Sequence, residues 1–216
     1  MTDQTDKLIA DLAADLTPVQ RLTPPFRRAA IWLVTAVAIN VAVALIHGLR
    51  PDLADMLHHT GYMLLMITTF LTGLLAGIAV FLISVPGWSA RWALLPVPGL
   101  VLCFASASYG CYADWVRMGP HGLTLGTSFD CFSWIVGLSL PLSLGLYFML
   151  RHGAWIRPGL TLILGMLSTS ALVASGLSLF HPVETSLVNV VYHGGATVIL
   201  IVLSVLGVPL FKPKQI

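Results

Sequence analysis

Three cysteines and seven histidines carry most of the chemistry open to this 216-residue chain. Cys111 and Cys131 stand twenty positions apart, on either side of a segment that contains Gly119-Pro120 and Gly122. A disulfide between them would restrict the denatured chain by about 3 kcal/mol, given alpha carbons within about 7 Å. The bland alternative is that the two thiols serve only as small buried hydrophobes. A third chemistry is a soft-metal site, because thiolate with imidazole suits zinc, copper or cadmium. Its donors would be Cys111, Cys131, His121 and His181, with the pair His58-His59 nearby in the expected layout. No two of these within one loop show a recognised ligand spacing.

The remaining groups read as structural. Cys103 lies inside an apolar stretch, where low polarity raises a thiol pKa and keeps reagents out. His193 also lies inside one, and a hydrogen bond to a neighbouring helix, with Asn189 on the same face, is the expected arrangement. His47 falls at the end of another stretch, an interfacial position.

The elements that must position these groups are set by hydropathy. Hydrophobic residues make up 57% of the chain and charged ones 9%, with a mean hydropathy of +0.90, so lipid is the expected solvent. Crossing a bilayer core takes roughly 20 helical residues. Six stretches meet that length, at 29–47, 61–83, 92–108, 132–150, 160–179 and 187–208, and none contains Asp, Glu, Lys or Arg. An open sheet would leave peptide groups unpaired in hydrocarbon, and a barrel would show short alternating strands. The expected fold is therefore all-α, a polytopic six-helix transmembrane bundle. Pro141, and Pro96 with Pro98, read as kinks in the fourth and third spans. Gly73 and Gly77, spaced as GxxxG, could seat a neighbouring helix closely.

Charge sets the orientation. Nine basic residues, among them Arg27, Arg28, Arg91, Arg151 and Arg157, fall with the termini and the loops after the second and fourth spans, whereas Arg50 and Arg117 fall opposite. The positive-inside bias makes the termini cytoplasmic and places Asp52, Asp55, Asp114, Asp130 and Glu184 in a periplasm. The net charge of +2 offers no polybasic excess for nucleic acid. A cleaved signal peptide does not fit the first stretch, because 28 polar-rich residues precede it. The expected organisation is a cytoplasmic N-terminal segment, 1–28, a membrane domain, 29–208, and a cytoplasmic tail, 209–216.

Residues 5–16 place Leu8, Ile9, Leu12, Ala13 and Leu16 on one helical face, with Asp6, Lys7, Asp11 and Asp15 elsewhere. Interfacial helices carry Lys and Arg on the polar face, and this one carries mostly Asp. A helix that lays its Leu and Ile edge into a groove on a cytosolic protein fits that composition better.

The segment LIADLAADLTPVQRLTPPFRRA followed by six spans resembles the NrsF-type family of bacterial inner-membrane anti-sigma factors. Further family-like stretches are GLRPDL, LTGLLAGIAVFLISVPG, SLPLSLGLYFMLRHGA and LFHPVETSLVNVVYH, in that order along the chain. The resemblance implies a protein that holds an extracytoplasmic-function sigma factor at the membrane and releases it under periplasmic stress. Carried over residue by residue, sigma contact would fall on Leu8, Ile9, Leu12 and Leu16, followed by Pro18, Val19, Arg21 and Leu22. The family's sensing cysteine at the start of the fourth span would be Cys131. Many members carry a second cysteine in the last periplasmic loop, in a His-Cys-Pro setting; this chain reads Phe180-His181-Pro182 there. Cys131 lacks that partner.

Two other function classes fit the residues less well. A transporter of small molecules or ions is the alternative, but the spans hold no ionisable relay, inverted repeat or matched pair of broken helices. A membrane enzyme would need convergent His and carboxylate groups, and Asp114, His121, Asp130 and His181 have no spacing that asks for it. No cofactor is implied.

Overall fold

The computed structural model describes residues 2–14, 23–123, 129–151, 156–181 and 186–207. Among them every regular element is helical, as the hydrocarbon solvent requires of a chain that must pair its peptide groups internally. Six helices are long and apolar enough to cross a membrane, which makes this a multi-pass membrane protein. The spans are Pro25–His47, Thr60–Ile83, Val97–Met118, Phe129–Leu150, Pro158–Leu177 and Ser186–Leu206. A short helix, Leu53–His58, joins the first two, and a 3-10 turn, Ala90–Leu94, leads into the third. The amphipathic segment forms a helix at Thr2–Ala14; Leu16 and the rest of 15–22 lie outside the described residues.

Three limits differ from the hydropathy reading, each for a reason in polar chemistry. The first span starts at Pro25, with proline in its first turn, so Arg27 and Arg28 are helical and the span is not free of charge. The third span runs to Met118, ten residues past the expected end, and takes in Cys111, Asp114 and Arg117. Pro96 and Pro98 open that helix instead of kinking it. Pro141 does lie inside the fourth span. The sixth span is interrupted by a π-helical turn at Val190–Gly194.

The fifth span is the axis of the bundle. In its most apolar 18-residue window 72% of residues are buried, against 17% in the third span, and it packs on the first, second, fourth and sixth. Hydrocarbon gives no hydrophobic drive between helices, so close approach must come from small residues and hydrogen bonds. The seam with the second span has both. A Cβ on Gly73 would come within 2.9 Å of the Leu172 backbone nitrogen, and one on Gly77 within 2.9 Å of Ser168 Oγ. Ser168 Oγ donates to the Gly73 carbonyl at 2.5 Å. Ser170 and Ser175 turn their hydroxyls onto carbonyls of their own helix, at Met166 and Leu172, so these buried oxygens cost nothing unpaired. Trp32, Phe81, Ile135 and Leu200 close the core around the seam.

Arg28 ties the start of the first span to the ends of two others. It is 5% exposed, its Nη2 donates to the Met149 carbonyl, and its guanidinium stands 5.5 Å from the Phe81 ring centroid. Both contacts lie in the last turns of helices, where the carbonyl dipoles favour a cation.

Glycine substitutions separate the seam from the lipid face. Gly73→Ala should lower stability in detergent unfolding by about 1–3 kcal/mol, the cost of overpacking. Gly137→Ala and Gly145→Ala, where a Cβ meets nothing within 4 Å, should be neutral or mildly stabilising. Equal effects at all three positions would mean that the seam is not tightly packed in the membrane protein.

Candidate functional site

At the end of the bundle away from the N-terminus, the chain leaves the first span through Gly48, whose φ of 84° suits glycine, and delivers Arg50 inward. Arg50 is 8% exposed. Its Nε and Nη2 donate to Asp52 Oδ1 and Oδ2 at 2.6 and 2.7 Å, a bidentate pair. Its backbone nitrogen donates to the Leu179 carbonyl at 3.0 Å, and its guanidinium lies 5.6 Å from the Tyr62 ring centroid. Tyr62 in turn donates its hydroxyl to the Ser178 carbonyl at 2.7 Å. One arginine thus binds the loop after the first span to the end of the fifth. The pairing holds Arg50 above its ordinary pKa and the Asp52 carboxyl below the usual carboxylate range.

A second acid does the corresponding work for the sixth span. Asp114 Oδ2 accepts from the Ser186 backbone nitrogen at 2.8 Å, so the third span supplies a carboxylate to the first turn of the sixth. Arg117 Nη2 donates to the other oxygen at 3.2 Å. Gly110 allows the approach, since a Cβ there would come within 2.6 Å of Ser186 Oγ.

Between these two pairs lies a cavity of about 550 Å³, lined among others by Arg50, Tyr62, Tyr109, Asp114, His181 and Asn189. His181 Nε2 and Asn189 Oδ1, on two of the lining residues, are closed off from the cavity and have no hydrogen-bond partner among the described residues. Burial pushes the His181 imidazole below its ordinary pKa; Asp130 opposes the shift and Arg50 reinforces it. His47 stands 4.5 Å from Trp134 edge-on and 5.6 Å from Phe180 in a stack, where the last turn of the first span meets the start of the fourth.

At the other terminus, the Thr2–Ala14 helix presents an apolar face that is exposed among the described residues. Leu8, Ile9 and Leu12 are 58%, 58% and 62% exposed. Pro18, Val19, Arg21 and Leu22, like Leu16, lie outside the described residues.

The family model for the negative regulator of sigma F matches residues 12–212, nearly the whole chain. The chain belongs to this family. No curated protein and no solved structure matched it. The match opens at Leu12, so Leu8 and Ile9 lie just ahead of the part shared with the negative regulators of sigma F, and Leu12 through Leu22 within it.

The cysteines of this family member are all free. Cys131, third residue of the fourth span, is fully buried in the core with Ile135. Cys111 lies within the third helix and not, as expected, in the loop after it, and is partly exposed. Cys103 packs with its Sγ 3.3 Å from Thr69 Oγ1. Among the described residues no three His, Cys, Asp or Glu side chains gather closely enough to hold a metal ion. The expected donor set does not converge: Cys131 is in the core, Cys111 on the third helix, His121 on an exposed 3-10 turn and His181 at the cavity. His193 was expected to hydrogen-bond to a neighbouring helix; its Nε2 is buried with no partner among the described residues.

The cavity residues were missed as a group, though a signal for them existed. Arg50 and Arg117 are the two exceptions to the basic asymmetry of the chain, and each has an aspartate two or three positions away. A cation that breaks the asymmetry needs a local partner, and both have one.

Because the His181 pKa is depressed in the folded protein, the unfolded chain takes up the proton first as pH falls. The melting temperature should therefore drop as pH is lowered below about 6.5, the ordinary histidine value. Asp52 stays ionised through that window, because its carboxyl is held below the usual range. His181→Gln should flatten part of the drop in thermal melts from pH 7.5 to pH 5; an unchanged profile would show that His181 is not held neutral.

Proposed function

We propose that this chain is an anti-sigma factor of the inner membrane that sequesters an extracytoplasmic-function sigma factor through its N-terminal segment. The observation that carries the reading is the uncovered Leu8-Ile9-Leu12 face, on a helix of a chain in the sigma F regulator family. In water such a face is unstable unless a partner covers it, and an acidic polar face does not suit anionic headgroups. A groove on a cytosolic protein supplies the missing cover. Contact continues through Leu16, Pro18, Val19, Arg21 and Leu22.

Nine basic residues against two support an orientation with both termini in the cytoplasm. The cavity and the cysteine-bearing ends of the third and fourth spans then face the periplasm. Cys111 and Cys131 are the proposed response elements. Chemical change at either thiol alters the packing of those two spans, and release of the sigma factor follows if the two packings differ in their affinity for it. Cys131, being buried, becomes reactive only on local opening.

The experiment is co-purification of the detergent-solubilised protein with a co-expressed sigma factor. Full-length chain should retain it and a chain lacking residues 1–22 should not. Leu12→Asp should weaken retention at least about 30-fold, the cost of losing a buried anchor of about 2 kcal/mol, without loss of membrane insertion. Retention by the truncated chain would remove the docking segment from the reading. Cys131→Ser should leave retention intact and blunt release under oxidant; wild-type release by this variant would exclude Cys131 as a response element.

A further inference from the structure

We propose that the arginines around Trp88 form a binding site for the headgroup of an anionic phospholipid, one of net negative charge such as phosphatidylglycerol. The site stands apart from sigma binding by the N-terminal helix and holds for either orientation of the bundle.

The charges at the two ends of the bundle are handled differently. The start of the first span, the loop after the second, the end of the fourth and the start of the fifth share one end, and bring Arg27, Arg28, Arg91, Arg151 and Arg157 there. The described carboxylates of the membrane domain, Asp52, Asp55, Asp114 and Asp130, lie at the opposite end. Among the described residues the ion pairs are Arg50 with Asp52 and Arg117 with Asp114, both at that opposite end. The arginine end thus has no carboxylate partner among the described residues.

Two of its arginines are engaged by protein. Arg28 is buried on the Met149 carbonyl and the Phe81 ring, and Arg151 lies over the Phe148 ring at 5.3 Å. The other three border one aromatic cluster. Arg157 Nη1 donates to the Trp88 carbonyl at 3.3 Å, which ties the start of the fifth span to the loop after the second. The Trp88 ring meets Phe26 at 5.8 Å and Trp92 at 5.6 Å, both edge-on. Arg27 follows Phe26 in the chain and Arg91 precedes Trp92, and both arginines are exposed. The loop that carries them is shaped: Gly87, at a φ of 92°, turns the chain into Trp88, and Ser89 Oγ accepts from the Arg91 backbone nitrogen at 3.3 Å.

Depth and charge then name the ligand. Tryptophans gather at the level of lipid headgroups, so these guanidiniums stand where phosphates are. A phosphodiester accepts paired N–H bonds from a guanidinium. A zwitterionic headgroup would bring its own ammonium to a cationic cluster, whereas a net negative one does not. The first and fifth helices also begin here without side-chain caps, and their positive ends add to the same field. Apolar surface beside the charges selects a lipid over a free phosphate. Phe26, Leu94 and Ile156 are 54%, 63% and 53% exposed, and offer cover to acyl chains. Basic clusters between spans at a membrane surface hold anionic headgroups in this way.

The test is native mass spectrometry of the full-length protein, released from neutral-detergent micelles that hold equal amounts of phosphatidylglycerol and phosphatidylcholine with the same acyl chains. Phosphatidylglycerol should predominate among the bound lipids. Arg91→Gln and Arg157→Gln should each lower that preference about 5-fold, the effect of one arginine near an anionic headgroup. Arg151→Gln removes the same charge from the same end, outside the cluster, and should leave the preference unchanged. Arg91 is exposed, so its variant decides the matter if Arg157→Gln fails to fold. Equal binding of the two lipids by the wild-type chain would overturn the proposal, as would a preference unmoved by Arg91→Gln. An equal loss in Arg151→Gln would replace the site by diffuse surface charge. Displacement of bound phosphatidylglycerol by millimolar inorganic phosphate would replace it by a site for a free anion.

Discussion

The contact on which the rest of the molecule depends is the seam between the second and fifth spans. Lipid tails are as apolar as leucine, so helices in hydrocarbon are not driven together by their greasy surfaces. Gly73 and Gly77 let two backbones meet, Ser168 bonds across to the Gly73 carbonyl, and Leu172 fills the gap. The first, fourth and sixth spans pack on the fifth, and the third packs on the second. The third span, largely lipid-facing, takes its position from the second span and, at its far end, from the start of the sixth.

Hydropathy made the spans legible because crossing a bilayer imposes a length and a composition at once. It lost the helix ends where polar residues have protein partners. Arg28 fell just ahead of the expected first span, yet it is helical and buried against the carbonyl ends of two other helices. Tyr109 through Arg117 looked like loop, yet Asp114 and Arg117 are helical because one caps the sixth span and the other pairs with it. That error also placed Cys111 in a loop it does not occupy.

The cavity was less legible than the spans for a topological reason. Its walls come from the loop after the first span, the second and third spans, the end of the fifth and the start of the sixth. No window of sequence contains it. The N-terminal helix was the easier site, since its two faces are written in thirteen consecutive residues and need no tertiary partner to be recognised. Family membership joins these two ends of the molecule in one protein, with the helix-to-helix seam between them.

The wide turn at Val190–Gly194 has a geometric consequence for the sixth span. Its first turn is fixed by the Asp114 carboxylate, and its later residues Ala196, Leu200 and Ser204 are fixed by burial. In an unbroken α-helix Val188 and Ala196 would point about 80° apart, at 3.6 residues per turn. Both are buried, at 1% and 0% exposure. A turn with bonds from i to i+5 advances fewer degrees per residue and takes up that difference. The π-turn acts as a phase corrector: each half of the span keeps its own angular setting, and neither has to unwind for the other.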